Sequence, residues 1–111
     1  MNTNYIDCIE CVESLINSSD CDSYICCGDF NTSFERHNAQ TNYLTDFISR
    51  NNLVLSWDHH LANKDFTYVN HALGHKSFID HFIVSRNIFD TIINTSVLCD
   101  PINPIINPII I

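Results

Sequence analysis

Glycine is scarce in this chain. Only Gly28 and Gly74 occur in 111 residues, so the backbone has few low-cost places for a positive φ, and Asn must serve at most others. Proline is absent until the last eleven residues, where all three occur. Basic residues number 5 against 13 acidic ones, a formal charge of −8. That balance excludes a non-specific nucleic-acid coat, which needs a basic surface to displace counterions. It leaves room for a phosphate enzyme whose metal ion supplies the positive charge. No apolar run reaches the ~20 residues of a membrane span, so no membrane partner is expected. The start, Met1-Asn2-Thr3-Asn4-Tyr5, has neither a basic nor an apolar signal region, and an intracellular chain, cytoplasmic or nuclear, is expected. Free thiols are then the default for the six Cys.

What is present is a 45% apolar chain of single-domain length, with enough apolar surface to form a core. Tyr5, Cys8, Ile9, Val12, Leu15 and Ile16 fall at helical spacing, ending near Asn17–Asp20. A strand at Tyr24–Cys27 closes at Gly28. Tyr43, Leu44, Phe47 and Ile48 predict a second helix, capped by Thr41 and stopped at Asn51-Asn52. Strands are predicted at Leu53–Trp57, Phe66–Val69, Phe78–Val84 and Ser96–Leu98, with a short helix at Ile88–Ile93. The Pro/Ile/Asn tail reads as an edge strand or an exposed sticky end. The alternation predicts an α/β or α+β domain without an internal boundary.

Two segments could carry chemistry. In Cys27-Gly28-Asp29-Phe30-Asn31 an apolar strand runs into Gly, Asp and, two residues on, Asn. Strand alternation would project Asp29 and Asn31 together from the strand end, where a carboxylate can orient water and an amide can hold a phosphate oxygen. The same residues are also ordinary turn chemistry. In Ser77-Phe78-Ile79-Asp80-His81-Phe82-Ile83-Val84 an Asp sits among apolar strand residues, and a buried charge there would need a partner. Neighbouring strand residues point to opposite faces, so Asp80 and His81 do not form a dyad; His81 reads as a packed or surface histidine.

Together these segments resemble the endonuclease/exonuclease/phosphatase superfamily, and within it the endonuclease domain of non-LTR retrotransposons. Gly28-Asp29-Phe30-Asn31-Thr32 matches the family's Gly-Asp-Phe-Asn strand end. Ser77–Val84 matches its Ser-x-Ile-Asp-His strand, and Thr67, thirteen residues before Asp80, matches a Thr in a short strand. The resemblance runs from about Tyr5 to the end of the chain and covers the second half of the family's domain. It implies an α+β fold, the four-layer α/β-sandwich of the family, of which residues 1–111 would supply one mostly antiparallel sheet flanked by helices.

The resemblance also implies roles. Asp29 would orient or deprotonate the attacking water, Asn31 and Thr67 would bind the scissile phosphate, and Asp80 would orient a catalytic His. The cofactor would be Mg²⁺, acting as a Lewis acid, and the substrate DNA. Two departures follow. Aligning the family's later Ser-Asp-His-x-Pro motif on Pro108 puts Pro104, Ile105 and Ile106 where Ser, Asp and His belong. The family's metal-binding Glu precedes the matched region, and Glu10 and Glu13 fall on the solvent side of a helix. The expectation is a fragment of a Mg-dependent endonuclease, inactive alone, with a complementary first half or a reverse transcriptase domain as partner.

The cysteines offer a rival reading. Cys8-x-x-Cys11 with Cys21 and Cys26 could form a zinc site in a non-catalytic zinc- or protein-binding module. Cys8 also fits the core stripe of the first helix, and one of Cys26 and Cys27 must face the core, so buried reduced thiols are the preferred reading. His37, His59, His60, His71 and His75 are scattered through predicted loops and read as exposed polar residues.

Overall fold

A computed structural model describes residues 2–58, 62–63, 68–70, 75–77, 79–93, 95–97 and 109–110. Helix α1 spans Thr3–Ser18, started by Asn2, whose Oδ1 accepts the Asn4 amide at 2.8 Å. Strand β1 is Ile25–Asp29 and helix α2 is Ala39–Arg50. The cap of α2 is Asn38, not Thr41: Asn38 Oδ1 accepts the Thr41 amide at 2.9 Å, leaving Thr41 buried in the first turn. The helix stops as expected at Asn51-Asn52, where Asn52 takes φ 54° in place of glycine.

Strand β2, Leu53–Leu55, is shorter than predicted because Ser56–Asp58 winds into a 3₁₀ turn. Among the described residues the following strands are β3 (Ala62–Asn63), β4 (Tyr68–Asn70), β5 (His75–Ser77), β6 (Asp80–Ser85), then, after the short helix α3 (Arg86–Phe89), β7 (Thr95–Val97) and β8 (Ile109–Ile110). The main sheet has the order β1-β6-β2 and is fully antiparallel. Where the sequence predicts one sheet, the described strands form three separate sheets. Both edges of β6 are taken by β1 and β2, so β7 pairs with β3 in parallel and β8 antiparallel, and β4 pairs with β5. The pairing of Ile109–Ile110 with β7 agrees with the edge-strand reading of the tail. The class is mixed α+β.

Alternation decides what each face of the main sheet does. Ile83, with Cys26 and Leu55 beside it in register, faces α1 and α2, where Ile9, Leu44, Phe47 and Leu53 complete the core. The opposite face carries Ile25, Cys27, Asp29, Asp80, Phe82, Val84 and Val54. Val84 and Val54 are buried, but Ile25 is 53% exposed and Cys27 is exposed. Among the described residues no helix is long and apolar enough to cross a membrane.

Candidate functional site

The register of β1 on β6 sets the site. Gly28 lies opposite His81 and Asp29 opposite Asp80. Directly opposed residues of antiparallel strands share a face, so Asp29 and Asp80 stand together at one strand end while His81 points into the interior. His81 is 1% exposed, which agrees with the reading of a packed histidine that cannot pair with its neighbour Asp80.

Asn31 departs from expectation. β1 ends at Asp29, and Asn31 takes φ 48°, so strand alternation does not extend to it. Asp29 Oδ1 instead accepts the Asn31 amide at 2.7 Å, an Asx turn that reverses the chain. Both residues are exposed at the tip of this turn. Gly28, just before it, has φ 139°, a region closed to residues with a side chain. The scarce glycine singled out by the sequence is thus required by the backbone. Thr67 lies outside the described residues, as do Pro104, Ile105 and Ile106.

Three elements hold the loop that follows Asp29, a convergence that sequence reasoning missed. From β6, His81 Nε2–H donates to the Thr32 carbonyl at 2.6 Å, and its ring packs edge-on to Phe34 with centroids 4.9 Å apart. From α1, the Tyr5 hydroxyl lies 2.8 Å from Thr32 Oγ1. Thr32 Oγ1 spends its own proton on the Phe30 carbonyl at 2.8 Å, so Tyr5 is the donor. Burial raises the Tyr5 pKa, against the opposing pull of the Thr32 hydrogen bond, and keeps that proton in place. From α2, Gln40 Nε2 donates to the Asn31 carbonyl at 2.7 Å and to Thr32 Oγ1 at 3.1 Å. The only sequence signal was Thr32, next to the Gly-Asp-Phe-Asn run. A cleft of about 380 Å³ adjoins the turn, lined by Tyr5, Cys8, Ile9, Val12, Asp29 and Asn31.

Among the described residues no three His, Cys, Asp or Glu side chains converge. Asp29 and Asp80 are hard oxygen donors of the kind Mg²⁺ takes, whereas Glu10 is exposed and Glu13 is bound to Arg50 and Asn51. The cysteines differ from expectation in part. Among the described residues Cys8, Cys11, Cys21 and Cys27 are exposed free thiols, and Cys26, one of the adjacent pair expected to face the core, does so. Cys8 is displaced to the flank of α1 because Tyr5, Ile9, Val12 and Ile16 fill the core side. Burial raises the Cys26 pKa, and the adjacent Cys27 adds to it. Neither a protein-family model nor any curated protein matches the chain in sequence.

Proposed function

We propose that the chain is part of a phosphodiester hydrolase of the retroelement endonuclease type, within the four-layer sandwich family, and that it has little activity alone. The observation that carries this reading is the opposition of Asp29 and Asp80 at one strand end, followed by a braced turn that presents Asn31. Both carboxylates come from the two motifs that resemble the family's. In this reading Asp29 orients the attacking water and Asn31 donates to the scissile phosphate of DNA. Asp80 is a positioning residue, and the tail alignment puts Ile106 where the family's catalytic His belongs. When bound, Mg²⁺ would supply Lewis-acid polarisation of the phosphate. Loss of one member of a catalytic unit typically costs about 10⁴-fold or more, and such losses overlap. That is the reason for the low activity proposed.

Incubation of the purified chain with supercoiled plasmid and Mg²⁺ tests the activity. The expected result is no nicking above background; robust nicking abolished by Asp29→Ala overturns the inactivity. The genomic sequence upstream of the Met1 codon tests the class. An in-frame, Glu-bearing first half followed downstream by a reverse transcriptase is expected, and a locus without either removes the ground for the retroelement assignment.

A further inference from the structure

We propose that the free edge of β1 accepts an extended, basic polypeptide segment as an added strand, independently of any nuclease activity. β1 is the outer strand of its sheet. The Ser85 amide donates to the Tyr24 carbonyl at 2.9 Å, and the Phe30 amide to the Ile79 carbonyl at 3.0 Å. These bonds turn the even-numbered backbone groups toward β6, so the N–H and C=O groups of Ile25, Cys27 and Asp29 point away from the sheet. Such a row is a template for strand addition. The usual defences are missing within β1, which contains neither Pro nor Lys.

Both sides of this edge offer apolar cover. Tyr5 bonds to Thr32 at one end of α1 and Tyr24 bonds to the Ile16 carbonyl at the other, so α1 runs antiparallel along β1. Cys8, Cys11 and Leu15, at i, i+3 and i+7, form an exposed stripe on one flank of α1, and Leu15 is 66% exposed. Cys8 shares a cleft with Asp29, which places this flank on the β1 side. On the other face of the sheet, Ile25 and Cys27 are exposed.

Charge selects the occupant. Asp20 and Asp22 precede β1 and Asp29 ends it, all exposed, with Arg86 beside Asp22. The chain as a whole carries −8, so a second copy or an acidic segment is repelled and a Lys- or Arg-bearing strand is attracted. Apolar residues alternating with the basic ones would meet Ile25 and the α1 stripe.

The test uses three capped nine-residue probes with the unaltered protein: alternating Val and Lys, the same with Glu for Lys, and the Val/Lys peptide N-methylated on alternate amides to block pairing along one edge. Fluorescence anisotropy reads binding, and amide exchange by NMR reads its location. The expected result is saturable binding of the Val/Lys probe, with exchange at Ile25, Cys27 and Asp29 slowed at least tenfold. Binding should fall at least tenfold for the Glu and N-methylated probes. Equal binding of the N-methylated probe, equal binding of the Glu probe, or protection confined to other amides overturns the proposal.

Discussion

Asp29 and Asp80 face each other across the β1–β6 ladder, two carboxylates at directly opposed positions of antiparallel strands. Like charges directly opposed across a ladder oppose folding. Asp29→Asn removes one charge while keeping an Oδ1 that can accept the Asn31 amide. The expected outcome is a rise in stability of about 0.2–1 kcal/mol in urea unfolding. A loss of stability would show that the two carboxylates do not repel.

Gly28 is required by conformation and not by space. No atom lies within 4 Å of the position a Cβ would take, yet its φ of 139° suits only glycine. Gly28→Ala should therefore destabilise by about 1–3 kcal/mol through strain alone. Gly→Ala where φ is compatible stabilises by about 0.4–1 kcal/mol, so the sign of the change, read by thermal or urea unfolding, decides the point.

The parts of the fold governed by local rules were legible. Apolar spacing located α1 and α2, and scarcity of glycine pointed to Gly28. Strand alternation separated Asp80 from His81. What depended on partners distant in sequence was not legible. Nothing in the spacing of Tyr5, Gln40 and His81 says that all three reach the loop after Asp29, because their convergence follows from the packing of α1, α2 and β6. Thr41 looked like a cap because it is Thr, but Asn38, with a side chain that also reaches the first turn, took the role. Strand alternation does not carry Asn31 to the face of Asp29, because the strand ends at Asp29 and the Asp29 side chain takes the Asn31 amide and bends the chain. Cys8 sat within the apolar period, but the core side of α1 was already filled.

His81 should be the main anchor of the site loop. Its imidazole is buried, bonds the Thr32 carbonyl and packs on Phe34. His81→Phe keeps an aromatic ring but leaves that buried carbonyl without its donor, at a cost of about 1–3 kcal/mol. His81→Ala also opens a cavity and should cost about 2–5 kcal/mol. Amide exchange at Thr32 and Ser33 should quicken in both variants; unchanged exchange would mean that Tyr5 and Gln40 hold the loop without it.

The thiols should react in an order set by burial. Cys26 is partly buried with a raised pKa, whereas Cys8, Cys11, Cys21 and Cys27 are exposed. Limited alkylation with iodoacetamide at neutral pH, mapped by mass spectrometry, should label the four exposed thiols before Cys26. The contrast between adjacent Cys26 and Cys27 is the sharpest check, since the two differ only in the face they occupy. Equal rates at the pair would place β1 in a different register.

Glu13 joins α1 to the end of α2. Its carboxylate takes two bonds from Arg50, Nε at 3.0 Å and Nη2 at 3.2 Å, and one from Asn51 Nδ2 at 2.6 Å. The Arg50 hydrogen bonds, then the Asn51 bond, hold its pKa below the ordinary value of 4.5. A carboxyl whose pKa is lower in the folded than in the unfolded chain stabilises the fold above the unfolded value, and that stabilisation is lost as the pH falls through the folded value. The contribution should be intact at pH 6 and decline below about pH 4.5. The pair is solvent-accessible, with the Arg50 side chain 50% exposed, so the effect is small and weakened by salt. Glu13→Gln should flatten the acid limb of the stability curve between pH 5 and pH 3 without changing its slope above pH 6. Parallel acid limbs in the variant and the parent protein would show that Glu13 titrates alike in both states and that the bridge does not couple the two helices.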